Sequence, residues 1–211
     1  MKKLLLLLCL AVAGLVTANA QGLKGKWYGT AQFGYSELKT GDDQKDSYLN
    51  VLPIIGTFVS PDVTIGLGLG YLQNKYTEGE SETKVGAWAF EPLARKYWNI
   101  SGPLFFFGQL AVPLAFGSVK DTDIKVSQFG IGASAGFDMV IWKNVSIEFS
   151  YNIVNFSTTT TDLGNDTKIT ATNFQVAHVA NLQSGSAVPL PLGGYTGLLT
   201  PISVGIKFFL N

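Results

Sequence analysis

Five charged residues carry most of the chemistry open to this chain. Glu91, Arg95, Asp138, Glu148 and Lys207 all lie in stretches where large apolar residues alternate with smaller ones. Successive side chains of an extended strand point to opposite faces. Parity therefore puts all five on the face shared with glycine, serine and alanine. Three carboxylates and two cations gathered there are able to pair with one another. They must do so if water is excluded, because leaving one buried charge without a partner costs several kcal/mol. The expectation is an interior ionic cluster that holds a lumen shut, as structural filling or as a gate or proton path.

Other chemistries lack their parts. His178 is the single histidine, in Asn173-Phe-Gln-Val-Ala-His-Val-Ala180, with no serine immediately beside it. A hydrolytic triad needs a nucleophile, a base and an acid in mutual reach. One histidine and no cysteine outside the leader make no metal site. Gly66-Leu-Gly-Leu-Gly70 lacks both the G-x-G-x-x-G spacing and a following helix, so it reads as mid-strand rather than as a phosphate loop. No catalytic residue, cofactor or metal ligand is expected.

The elements that must position the five charges are strands. Ile202, Val204, Ile206, Phe208 and Leu210 share one face of the last segment, with Ser203, Gly205, Lys207 and Phe209 on the other. The same two-faced pattern marks Leu23–Leu38, Val63–Tyr71, Val85–Trp98, Leu104–Phe116, Gln128–Asp138 and Val145–Ile153. Ser47–Val59 is apolar on both faces, so its outward side is undecided. That makes eight strands. Connections after strands two, four and six are short turns. Those after one, three, five and seven are longer and hold most of the loop charge, as in Thr40–Asp46, Thr77–Lys84 and Lys120–Asp123. The last of them, Ser157 to Tyr195, is a long polar excursion read mainly as loop. Pro53, Pro92 and Pro113 fall inside strands and call for bulges or local slips in register. Trp27, Trp98 and Trp142 gather at the short-turn end with Tyr28, Tyr97 and Phe105 nearby. Trp88 lies toward the other end with Tyr35, Tyr48, Tyr71 and Phe116. Two such bands suit aromatic rings at lipid–water boundaries.

Composition agrees with strands that hide one face each. Hydrophobic residues make up 46% and charged residues 14% of the 211, against about 25% charged in soluble domains. No segment after the leader approaches the roughly 20 apolar residues of a membrane helix. Residues 1–20 read as a cleavable signal peptide: Lys2 and Lys3, an apolar run from Leu4 to Val16, and a small-residue site at Ala18-Asn-Ala20. Cys9 lies within it. Cleavage leaves 21–211 as one domain with no cysteine. It also leaves 13 basic and 15 acidic residues, a net charge of −2 that argues against a nucleic-acid surface.

The face opposite the large apolar residues is too bland for a water-exposed skin and too polar for a core. It suits the inside of a narrow barrel whose greasy face meets lipid. The leader, the alternating segments, the unequal connections and the ending Val204-Gly-Ile-Lys-Phe-Phe-Leu210 together resemble the small outer-membrane β-barrel family of Gram-negative bacteria, with its OmpA/OmpX-type and opacity or porin-like barrel domains. The resemblance implies an all-β, eight-stranded antiparallel transmembrane up-and-down barrel in the cell outer membrane. Its surroundings would be outer-membrane lipids, and the barrel-assembly machinery would insert it. The leading expectation is a non-enzymatic monomer with a structural or surface-interaction role, whose long fourth connection is the interaction surface and whose extracellular ligand the sequence does not name. A narrow pore for small solutes, a lipid-modifying hydrolase and a soluble periplasmic binding barrel are the alternatives, in that order.

Overall fold

Alternating side chains produce long strands here. The computed structural model describes residues 24–40, 44–79, 81–164, 167–176 and 202–210, and every regular element among them is a strand. These are β1 (Trp27–Thr40), β2 (Gln44–Phe58), β3 (Val63–Glu78), β4 (Ser81–Ser101), β5 (Leu104–Ala111), β6 (Leu114–Val119), β7 (Lys125–Trp142), β8 (Val145–Asp162), β9 (Lys168–Val176) and β10 (Ile202–Leu210). All pair antiparallel within one sheet. β1 to β4 pair in sequence. β5 and β6 both bridge β4 and β7, β7 pairs with β8, and β8 pairs with β10. β10 returns to β1 through Trp27↔Leu210 to Thr30↔Lys207. The sheet is therefore barrel-like, with pairing that runs in a ring through eight strand positions. The leader, residues 1–20, lies outside the described residues.

Among the described residues ten segments appear where eight strands were expected, for two reasons. The fifth predicted strand is cut at Val112-Pro113 into β5 and β6. Register runs unbroken across the cut, since Leu93↔Ala111 and Phe90↔Leu114 belong to one ladder. Pro92 stands on the neighbouring strand at the same place. The two prolines share one interruption, and Val112 N–H donates to the Pro92 carbonyl at 3.0 Å while Gly130 N–H donates to the Pro113 carbonyl at 2.8 Å. Near Pro53 the β2–β3 ladder skips from Val51↔Tyr71 to Ile54↔Gly68 without shifting. None of the three prolines needs the expected bulge or slip. The bulges fall elsewhere, at Asn99/Ser101, Ala133/Ser134 and Val140/Trp142.

The second reason is that the charged connections are largely strand. β8 runs on to Asp162 and makes a hairpin with β9, so 157–162 and 168–176 are ladder rather than loop. β3 and β4 join through 79–80, with Gly79 at φ 57°, the left-handed region where glycine carries no Cβ penalty. β1 and β2 extend to Thr40 and Gln44. The first two of the connections read as long are thus short, contrary to the prediction for them, while 177–201 of the fourth lies outside the described residues. Polar residues can hold a ladder once they pair across it. Lys45 meets Glu37 at 2.9 Å, Lys75 and Lys84 flank Glu82, and Thr158 and Thr160 face Thr172 and Thr170 at 3.3 Å. Hydrogen bonds from Lys75 and Lys84 hold the Glu82 carboxyl down at about 2. β4 is 21 residues long, about twice the 9–11 that a tilted strand needs to cross hydrocarbon.

The two faces are sharply different. Phe33, Leu69, Trp88, Phe116, Val204 and Phe208 point outward, exposed by more than half. Tyr28, Leu52, Phe58, Leu72, Phe107 and Phe209 point inward and are buried. β2 resolves the same way, with Leu52, Ile54 and Phe58 inside and Val51 and Ile55 outside.

Candidate functional site

The inward charges of four strands meet near the short-turn end. β4 supplies Arg95 and Tyr97, β7 Asp138, β8 Glu148 and β10 Lys207. Cross-strand register sets the levels: Asp138↔Glu148, Arg95↔Gln109 and Thr30↔Lys207. Arg95 Nη1 donates to Glu148 Oε2 at 2.6 Å and to Tyr97 Oη at 3.1 Å. Its Nε and Nη2 both donate to Gln109 Oε1, at 2.9 and 2.6 Å. Lys207 is completely buried. Its Nζ pairs with Glu148 at 2.9 Å and with Asp138, and donates to Tyr97 Oη at 2.9 Å. The Arg95 guanidinium lies 4.1 Å from the centroid of the Phe107 ring, a distance that suits cation–π attraction.

Small residues make this packing possible. A Cβ on Gly66 would lie 2.8 Å from Tyr28 Oη, and one on Gly136 would lie 2.8 Å from Phe107 Cζ. Toward the short-turn end an aromatic layer closes beneath the charges. Phe58 stacks on Tyr97 at 5.7 Å, Phe209 lies 6.3 Å from Phe58, and Phe105 meets Tyr97 edge-on at 6.4 Å. Chemically the arrangement is a bridge across the interior. Two cations share two carboxylates, and phenol and amide groups take up their remaining hydrogens.

Of the five residues read as one cluster, Arg95, Asp138, Glu148 and Lys207 come together. Glu91 faces inward and is buried, yet it has no hydrogen-bond or ion-pair partner among the described residues. Sequence reasoning missed Gln109 and Tyr97. Both carried a signal: Gln109 interrupts an apolar strand, and Tyr97 is two residues from Arg95, hence on its face. It also missed Asp62 and Lys96, which form a buried ion pair where the turn from β2 to β3 meets β4. Ser60 Oγ donates to Asp62 Oδ1 at 2.7 Å and fixes that turn.

Trp27, Trp88, Trp98 and Trp142 are all exposed on the outer face. Trp98 packs on Phe106 at 5.5 Å, and Trp88 on Tyr71 at 5.5 Å. Tyr28 and Tyr97, grouped with the lower band, point inward instead, as their parity requires. Gly66–Gly70 is mid-strand in β3. His178 and residues 177–195 of the fourth connection lie outside the described residues.

No curated protein matches the chain. The family model for the outer membrane protein beta-barrel domain matches residues 5–181, a span that includes the strands carrying Arg95, Asp138 and Glu148. The chain belongs to that family, the outer membrane protein beta-barrel domains.

Proposed function

We propose that this protein is a non-enzymatic, eight-stranded barrel integral to the outer membrane, closed to solutes, with a structural or surface-interaction role. The observation that carries the reading is the Arg95–Glu148–Lys207–Asp138 bridge, which ties β4, β7, β8 and β10 together across the interior. An eight-stranded barrel has an interior just wide enough for side chains to fill, and a shared ion-pair network over an aromatic layer leaves little path through it. The outward row of Phe33, Leu69, Trp88 and Phe116 supports hydrocarbon around the wall. Trp27, Trp98 and Trp142 at one end and Trp88 toward the other suit the two lipid boundaries. Outer-membrane lipids are then the surroundings, a cleaved signal peptide and the barrel-assembly machinery the route, and the monomer the working unit. The paired strands beyond the hydrocarbon, above all the β8–β9 hairpin, are the surface offered to an extracellular partner.

A narrow pore on the same fold is the second reading. It requires Lys207 to part from Glu148 and Asp138. Liposome swelling separates the two. Proteoliposomes carrying the folded protein should not swell in isotonic arabinose, and steady swelling would overturn the closed reading in favour of the pore.

A further inference from the structure

A second polar level lies above the bridge. Arg95 and Glu148 touch, so β4 and β8 are at equal height there. β4 runs toward the short turns and β8 away from them. Four residues up from Arg95 is Glu91, and the residue level with it on β8 is four beyond Glu148. Asn155 is the inward residue just above that, once the bulge at Ala133/Ser134 is counted. On β2, the Leu52 side chain lies 3.2 Å from where a Cβ on Gly68 would be, and Gly68 is the register partner of Glu91. Asn50 is the next inward residue above Leu52. Asn50 and Asn155 are therefore the inward residues next above the height of Glu91, and the three line one stretch of the interior. Gly132 faces it from β7, and nothing lies within 4 Å of where its Cβ would be.

Three of the polar side chains here, Glu91, Asn50 and Asn155, are unmatched among the described residues. Asn50 and Asn155 are at least 95% buried, and both amide atoms of each have no hydrogen-bond partner among the described residues. The interior charge is also unbalanced: the two cations of the bridge are matched by Asp138 and Glu148, which leaves the Glu91 carboxylate over. Buried polar groups and charges are ordinarily satisfied. A carboxylate with amide oxygens, and no sulfur or imidazole, is the donor set of a hard cation.

We infer that this level is a binding site for one alkali cation, sodium or potassium, held by the Glu91 carboxylate and the side-chain oxygens of Asn50 and Asn155. One charge on the cation neutralises the one left over, whereas a divalent ion would reverse the imbalance. The site does not depend on whether the barrel conducts, because binding is read at equilibrium on folded protein.

Folded protein in detergent micelles is unfolded in urea in sodium, potassium or choline chloride at constant ionic strength, with strand content followed by circular dichroism. Above the dissociation constant, each tenfold rise in the alkali cation should multiply the folded-to-unfolded ratio about tenfold. Choline, too bulky for the site, should leave it unchanged. Glu91→Gln should abolish the difference between salts. Asn155→Leu keeps the carboxylate but removes an oxygen, and should weaken the alkali effect at least tenfold. Equal ratios in alkali and choline salts would overturn the site, as would a full alkali effect in either variant.

Discussion

Replacing Lys207 by methionine isolates what the interior bridge contributes. Methionine keeps an unbranched chain of similar reach, so the main change is loss of the ammonium group. Glu148 retains Arg95 at 2.6 Å. Asp138 has no other ion pair among the described residues, and its Oδ1 already has no hydrogen-bond partner. The variant strands a carboxylate that is only 3% exposed. Removing one partner of a buried pair costs about 3–5 kcal/mol. With a urea slope of about 2 kcal/mol per molar, the unfolding midpoint should fall by about 2 M. Lys207→Met/Asp138→Asn removes the stranded charge as well. Contacting residues couple by about 0.5–3 kcal/mol, so the double variant should be more stable than the sum of the single losses, by about 1 M at the midpoint if the coupling is about 2 kcal/mol. The assay is reversible urea unfolding of the folded protein in detergent micelles, monitored by tryptophan fluorescence. A midpoint shift below about 0.3 M for Lys207→Met, or strict additivity in the double variant, would refute the reasoning. Either result would mean that the bridge is hydrated and behaves like an exposed ion pair worth about 0–1 kcal/mol.

Two further substitutions test the wall. Leu69 points outward from mid-β3, opposite Phe90. Leu69→Arg should lower the free energy of folding into lipid vesicles by about 2–4 kcal/mol, measured by urea titration, and an unchanged midpoint would place that face outside hydrocarbon. A Cβ on Gly56 would overlap the Tyr28 ring, while one on Gly132 would meet nothing within 4 Å. Gly56→Ala should therefore cost about 1–3 kcal/mol as overpacking, and Gly132→Ala should stay within about 0.5 kcal/mol. Equal losses in thermal unfolding would contradict the packing.

Much of the architecture is written in the period of the side chains. Alternation along Val63–Tyr71 or Ile202–Leu210 assigns each residue to a face, because an extended backbone leaves no third direction. Parity alone therefore put Arg95, Asp138, Glu148 and Lys207 on one side and Trp27, Trp88 and Trp98 on the other, whereas Trp142 shares the parity of Asp138 and is turned outward by the bulge at Val140/Trp142. Where both faces are apolar, as in Ser47–Val59, period carries no such information. Charge also misled. Lys45, Glu82 and Lys84 read as loop because water-loving residues usually mark it, yet a ladder beyond the hydrocarbon has no need of an apolar face.

Which residues touch was decided only by the closed sheet. Asp138 and Lys207 are 69 residues apart, and they meet because register and stagger bring β7 and β10 to one height. No local pattern encodes that stagger, since it is set by how the whole ring closes. The same closure leaves Glu91 one level above its expected partners. It also lets Pro92 and Pro113 share a single gap in the ladder. Side-chain direction is a property of each strand taken alone, whereas height within the barrel is a property of all of them together.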